Sequence, residues 1–161
     1  MRSQFDSLAD SLCSSLPGDE VLLLSFDGEQ SDFVRFNHGK VRQAGSVEQR
    51  VLELRLVQGQ RHSGATVVLS GDHDADVARG QQTLQALREQ LPLLPEDPHL
   101  MYSEEPVSSE LIGADSLPVA ADAIDSIVTE ADGTDMVGIW ASGDIHHGFA
   151  NSLGQRNWFS T

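Results

Sequence analysis

Residues 48–69 limit the possible folds more than any other segment, because apolar and polar side chains alternate on both sides of Gln58-Gly59-Gln60. The apolar members of the alternation are Leu52, Leu54, Leu56, Ala65, Val67 and Leu69. A period of two is that of a strand with one buried face, and a short turn containing Gly joins such strands in hairpins. The sequence therefore predicts an antiparallel hairpin of strands 48–57 and 61–69.

Other strand and turn signals surround this hairpin. Asn37-His38-Gly39 lies in a period-two region and predicts a second tight turn, since Asn and Gly tolerate positive φ angles. The run 20–26 holds four consecutive apolar residues and predicts a buried strand that ends at Asp27-Gly28. Three short extended pieces, 136–142, 145–151 and 155–160, are predicted near the carboxyl end, separated by Gly143-Asp144 and Leu153-Gly154.

Three segments have the spacing of amphipathic helices. Residues 3–16 repeat apolar side chains at helical intervals until Pro17-Gly18. The segment from Gly71 to Leu91 begins with acidic residues, which suit a helix amino terminus, and 118–131 has the same apolar period. Helices and strands are segregated along the chain, so we expect an α+β fold with an antiparallel or mixed sheet of several strands, covered by about three helices.

The charge of the chain excludes one class of partner. Lys and Arg total 10 against 25 Asp and Glu, giving a formal net charge of −15. Such a surface repels phosphate backbones, so we expect no direct contact with nucleic acid. No run of apolar residues is long enough for a membrane span or a signal peptide, and the single cysteine, Cys13, fits a reducing compartment. A cytoplasmic location without membrane association is therefore expected.

Two clusters resemble metal sites only superficially. His146 and His147 are adjacent, and neighbours on a strand point to opposite faces and do not easily chelate one ion. Asp72-His73-Asp74 has the acidic density of a calcium loop but lacks the Gly and Glu positions that such a loop uses, so a helix cap explains it better. We expect no metal ligands and, since no G-x-S-x-G elbow occurs, no catalytic residues in this chain.

Three passages carry a resemblance to a known family. They are Val137-Gly138-Ile139-Trp140-Ala141-Ser142-Gly143, the run from Gly148 to Trp158 that reads GFANSLGQRNW, and the early hairpin from Phe33 to Gln43. Together they resemble the TldD/PmbA family, zinc metallopeptidases and their non-catalytic partners, often labelled modulators of DNA gyrase. The resemblance implies that 1–131 is an amino-terminal α+β domain and that strands in 132–161 lead into a carboxy-terminal β-rich domain absent from this chain.

The catalytic members of that family carry a His-Glu-x-x-x-His zinc motif. None of the six histidines here is followed by Glu, so the resemblance places any zinc in a longer parent protein and leaves this chain without a cofactor. The parent would be either a peptidase acting on peptides or unfolded protein, or a non-catalytic partner subunit with an interaction role. The resemblance also implies a homodimer or heterodimer.

Two groups of residues are candidate binding sites. The first, predicted to hold a peptide substrate by amide, cation and aromatic contacts, comprises Asn151, Gln155, Arg156 and Trp158. The second, predicted to meet an acidic protein partner, comprises Arg35, Asn37, Lys40 and Arg42. For the first group, a purely structural role in which Asn151 and Gly154 build a turn remains the alternative. For the second, the alternative is a solvated hairpin face.

Overall fold

A computed structural model of the chain describes residues 1–114 and 116–161. The elements in chain order are α1 (Arg2–Cys13), β1 (Val21–Asn37), β2 (Lys40–Gln58), β3 (Arg61–Val68), α2 (His73–Gln90), a short 3-10 turn (Leu91–Leu93), β4 (Ser109–Ile112), α3 (Ala120–Glu130), β5 (Gly138–Asn151) and β6 (Arg156–Ser160). The three α-helices and the sheet confirm the predicted α+β class.

The strands form one sheet of six, in the order β3-β2-β1-β5-β6-β4. All neighbouring strands are antiparallel except β4 and β6, which are parallel, so the sheet is mixed. The central position belongs to β1, which pairs with β2 on one side and β5 on the other. Residues beyond 131 therefore extend the same sheet to which the first strands belong.

Both predicted hairpins are confirmed. β1 and β2 pair from Val21 opposite Val57 out to a tight turn at Asn37 opposite Lys40. His38 and Gly39 adopt φ angles of 52° and 66°, the pair of positive values that a type I′ turn requires. The β2–β3 turn closes with Gln58 opposite Arg61. Gly59 there also has a positive φ of 58°.

Two predicted strand ends are wrong, and a glycine lies at each. β1 does not stop at Asp27-Gly28 but continues to Asn37, and β5 runs without a break through Gly143-Asp144. Gly143 is paired with Ser31, and a Cβ placed on it would lie 2.3 Å from the carbonyl oxygen of Gln30. The glycine therefore allows the backbones of β1 and β5 to approach closely. Glycine can thus be required inside a strand as well as in a turn.

The main core lies between one face of the sheet and helices α1 and α2. Its largest fully buried side chains are Phe5, Leu12, Leu22, Leu24, Leu52, Leu54, Leu56 and Leu84. Gly80 brings α2 close to α1, because a Cβ there would lie 2.9 Å from the Leu12 side chain. Burial of this continuous apolar surface is the main stabilising term of the fold.

Helix α2 begins as predicted. The Asp72 side chain accepts a hydrogen bond from the Ala75 amide at 2.9 Å, so the acidic segment caps the helix. The buried Asp76 carboxylate accepts further bonds from the amides of Ser70 and Gly71 and from the Ser70 hydroxyl. These contacts fix the connection between β3 and α2.

Helix α3 is separate from the main core. None of its own residues is fully buried, although Ala131, its carboxy-terminal cap, is 7% exposed. Val34 and Phe36, near the far end of β1, are also buried but lie outside the main cluster. No helix within residues 1–114 and 116–161 is long and apolar enough to cross a bilayer.

Candidate functional site

The turn between β5 and β6 is organised by a buried asparagine. Asn151 is 1% exposed, and its side-chain oxygen accepts hydrogen bonds from the amides of Leu153 at 3.0 Å and Gln155 at 2.9 Å. Gly154 completes the turn with a φ of 99°. An Asn side chain bonded to amides further along the chain is a common way to stabilise a turn. The amide oxygen of Asn151 is thus already engaged within the fold.

Arg156 links this turn to helix α1. One guanidinium nitrogen donates to the carbonyl oxygens of Asn151 at 2.9 Å and Gln155 at 2.8 Å, and another donates to Asp10 at 2.7 Å. The side-chain amide of Gln155 donates in turn to the side-chain oxygen of Asn157 at 2.7 Å. The structure therefore brings Asn151, Gln155 and Arg156 together, and each has partners inside the chain.

Trp158 lies apart from those three and belongs to an aromatic cluster. Its ring stacks on Phe26 at 5.9 Å between centroids and on His146 at 5.6 Å, and it is tilted against Phe5 at 6.2 Å. Only 7% of the residue is exposed. The exposed fraction borders a recess of about 460 Å³, which Arg156 and Gly154 also line. Of the predicted substrate group, Arg156 and Trp158 thus share a recess, whereas Asn151 and Gln155 do not line it.

The two adjacent histidines face opposite sides of the sheet. His146 stacks on Trp158 on the side of the core, and His147 stacks on Phe159 with 5.8 Å between ring centroids. One ion cannot bridge rings on opposite faces, so the pair does not form a chelate. Across the described ranges 1–114 and 116–161, no three His, Cys, Asp or Glu side chains group as metal ligands.

His147 instead forms a cross-strand pair that the sequence did not reveal. Its Nδ1 lies 2.5 Å from a carboxylate oxygen of Asp27, the residue opposite it on β1. The carboxylate orients the imidazole, as in many sites that use histidine. The pair was missed because Asp27 was interpreted as part of a turn, and only the β1–β5 register places it beside His147.

A cleft borders the β4 edge of the sheet. It has a volume of about 310 Å³ and is lined by Ile112 of β4, Ser160 of β6, and Asp144 and His146 of β5. Burial lowers the pKa of His146, although nearby Asp144 acts in the opposite direction. The Nδ1 atom of His146 is buried and has no hydrogen-bond partner among the described residues. The cleft thus combines the apolar side chain of Ile112 with an imidazole and a carboxylate.

The predicted partner-binding residues converge at the tip of the β1–β2 hairpin. Asn37 is directly opposite Lys40, and Arg35 is opposite Gln43. All four predicted residues, Arg35, Asn37, Lys40 and Arg42, are exposed. The tip is in contact with the segment that follows α3, where the His38 Nδ1 lies 2.6 Å from a carboxylate oxygen of Asp135.

Comparison with known proteins supports the fold. No family model and no curated protein matches this chain by sequence. Three solved structures match in shape over 99% of the chain. TldE from Thermococcus kodakarensis has a TM-score of 0.70 at 11% sequence identity. A proposed modulator of DNA gyrase from Bacteroides thetaiotaomicron has 0.60 at 15%, and a proposed modulator of a DNA gyrase from Thermotoga maritima has 0.58 at 12%.

The chain spans only part of these relatives. It covers 37% of the Thermotoga and Thermococcus chains and 38% of the Bacteroides chain. At such low identities the likeness concerns the course of the backbone and carries no residue roles. The chain has the fold of the TldD/PmbA family, over a region equal to a little more than a third of those solved chains.

Proposed function

We propose that this chain is the amino-terminal scaffold and substrate-cleft portion of a TldD/PmbA-like zinc metallopeptidase that acts on peptides or unfolded protein. The observation that supports the proposal most strongly is the shape match over 99% of the chain to TldE and to two proposed gyrase modulators. A cytoplasmic location and a homodimeric or heterodimeric parent belong to the same proposal.

The zinc would be held outside this chain. The described residues do not offer a compact set of metal ligands, and no histidine of the sequence is followed by Glu, so no catalytic step is assigned to residues present here. The contribution of this chain is binding. An extended peptide can add to the edge of a sheet through backbone hydrogen bonds, which hold peptides with little side-chain preference.

β4 is the edge strand that suits this role. It pairs with β6 on one side, and all four of its residues are exposed. Leu111 and Ile112 are each 62% exposed, and Ile112 also lines the cleft beside His146. At the other edge, both ends of β3 already have contacts, since the Arg61 side chain donates to the Leu94 carbonyl and the Val68 carbonyl accepts from Arg79. A peptide on β4 would place its side chains against Leu111 or over the cleft.

The test uses the full-length protein that contains this chain. We expect zinc-dependent hydrolysis of an unfolded protein substrate, abolished by a chelator and restored by zinc. The variant Leu111→Asn should raise KM roughly tenfold with little change in kcat, because it removes apolar contact area from the bound peptide. Leu93→Asn, at a remote and even more exposed leucine, is the matched control.

A second candidate function is that of a non-catalytic partner subunit, which the missing His-Glu pair keeps open. The full-length sequence separates the two, because only the catalytic version carries His-Glu-x-x-x-His downstream. Its absence there would refute the peptidase proposal. Equal KM values for Leu111→Asn and native protein would refute the role of β4.

A further inference from the structure

The hairpin tip concentrates the unneutralised positive charge of an acidic protein. Of the ten Lys and Arg residues, five form ion pairs with carboxylates in the structure, namely Arg2, Arg50, Arg61, Arg88 and Arg156. Arg79 donates to a backbone carbonyl instead. Among the described residues, Arg35, Lys40, Arg42 and the partly buried Arg55 have neither an ion pair nor a side-chain hydrogen bond, and the three exposed ones of these four lie at the hairpin tip. Exposed cations in a chain of charge −15 normally find carboxylates nearby, so this grouping is unusual.

A β-bulge lies within this group of cations. The register shifts between Arg35 and Phe36, so that Arg42 is the extra residue on β2. A bulge re-aims side chains and increases the local twist. Arg35 pairs with Gln43 on β2 and with Ile139 on β5, and paired residues share one face of a sheet. The neighbouring Phe36 is buried, so Arg35 faces the side of the sheet that is open to solvent.

An exposed apolar side chain flanks Arg35. Ile139 is 68% exposed, lies across from Arg35 and shares its face of the sheet, whereas Val41 is paired with the buried Phe36 and lies on the other face. The tip is also held in place before any partner binds. The Gly39 amide donates to the Met136 carbonyl at 3.0 Å, in addition to the His38–Asp135 contact. A surface that is ordered in advance loses less entropy on binding.

We propose that this tip, formed by Arg35, Lys40, Arg42 and Ile139, is a docking surface for a protein segment that alternates carboxylates with apolar residues. Carboxylates complement the unpaired cations, and an apolar position complements Ile139. A nucleic acid strand is longer than the surface of the three cations, so its further phosphates would lie over acidic residues such as Asp135. Those carboxylates would repel the phosphates. The inference does not depend on whether the parent is a peptidase.

The experiment measures binding of fluorescent probes to the chain of residues 1–161 by fluorescence anisotropy. The probes are a short synthetic peptide that alternates Glu with Val, a peptide that alternates Glu with Ser, and a thymidine oligonucleotide of equal charge. We expect the Glu-Val peptide to bind most tightly, and its affinity to fall as salt is raised.

The triple variant Arg35→Gln, Lys40→Gln, Arg42→Gln should weaken binding of the Glu-Val peptide roughly tenfold, since three exposed charge contacts are lost. The double variant Arg35→Lys, Arg42→Lys keeps the charge and should retain most of the binding. A control triple variant, Arg2→Gln, Arg61→Gln, Arg79→Gln, changes the net charge equally but lies elsewhere, and should bind as the native chain does. Thermal unfolding followed by circular dichroism confirms that each variant is folded.

Three outcomes would overturn the proposal. Unchanged affinity in the tip variant would show that its cations are not contacts. An equal loss in the control variant would show an effect of net charge alone. Tighter binding of the oligonucleotide than of the Glu-Val peptide would assign the tip to phosphate ligands.

Discussion

Replacing Gly143 by Ala tests the most demanding packing contact in the sheet. Gly143 lies in the middle of β5, opposite Ser31 of β1. A Cβ on it would lie 2.3 Å from the Gln30 carbonyl oxygen and 2.4 Å from the Ser31 Cα. Both atoms belong to the backbone of the central strand, so no side-chain rotation can relieve the overlap.

The expected loss of stability follows from that geometry. Overpacking a well-packed site usually costs about 1–3 kcal/mol, and a clash with two backbone atoms of the neighbouring strand belongs at the upper end, near ~3 kcal/mol. For a chain of this length, each kcal/mol lowers the melting temperature by about 2–4 °C, so we expect a decrease of about 6–12 °C.

The assay is urea and thermal unfolding followed by circular dichroism. Gly138→Ala is the matched control, because it lies on the same strand and its Cβ would meet only the Met136 sulfur, at an ordinary 3.7 Å. The control should be neutral or slightly stabilising, since Ala restricts the unfolded chain more than Gly does. If Gly143→Ala unfolds at the same urea concentration as the control, the close approach of β1 and β5 is incorrect.

Three further predictions concern other sites. Trp158→Ala should lower the free energy of unfolding in urea by about 3–5 kcal/mol, because the ring is buried against Phe5 and Phe26; a change below ~1 kcal/mol would favour a surface role. Asp76→Ala should cost about 2–4 kcal/mol in the same assay, since it leaves the amides of Ser70 and Gly71 without their acceptor; an unchanged midpoint would contradict this. Because burial lowers the pKa of His146 below its usual 6.5, the folded state binds fewer protons than the unfolded state in the window below that value. The contribution of His146 to the free energy of unfolding is therefore present above pH 6.5 and is lost as the pH falls through the folded pKa. Below pH 6.5, the free energy of unfolding should change less steeply with pH in His146→Gln than in the native chain. Equal slopes in the two proteins would refute this prediction.

The parts of the fold that sequence could predict are those with local causes. The hairpins at 37–40 and 58–61 rest on Gly and Asn in turns between alternating residues, and the Asp72 cap rests on a polar side chain at a helix start. These signals need only a few consecutive residues. They correctly predicted the three helices, whose ends moved by at most three residues, and the strands at the two hairpins, but β1 and β2 are longer than predicted and the short strand β4 was missed.

The errors arose where the cause is distant along the chain. Asp27-Gly28 and Gly143-Asp144 have turn composition, yet both lie inside strands that face each other in the β1–β5 pair. At Gly143 the backbone of the opposite strand explains the glycine, whereas a Cβ on Gly28 would meet the side chains of Met1 and Phe26. The Asp27–His147 pair depends on the same register, which a single sequence does not specify.

In the two predicted binding groups, too, residues that are close in sequence came together, whereas the position of a residue that packs on distant elements could not be predicted. The hairpin group came together because its members are close in sequence. In the substrate group, Asn151 and Gln155 serve the local turn, while the position of Trp158 depends on helix α1 and β1, far away in the chain. Their proposed roles in binding remain predictions.

The central position of β1 has a consequence for how the chain is made. Its partner β2 follows at once, but its other partner is synthesised more than a hundred residues later, as the pairing of Leu23 with Asn151 illustrates. Until β5 leaves the ribosome, the long hairpin exposes a free edge along its first strand, and such edges recruit other chains. Contacts so distant in sequence also slow folding. We therefore expect nascent chains that stop before β5 to aggregate and to depend on chaperones.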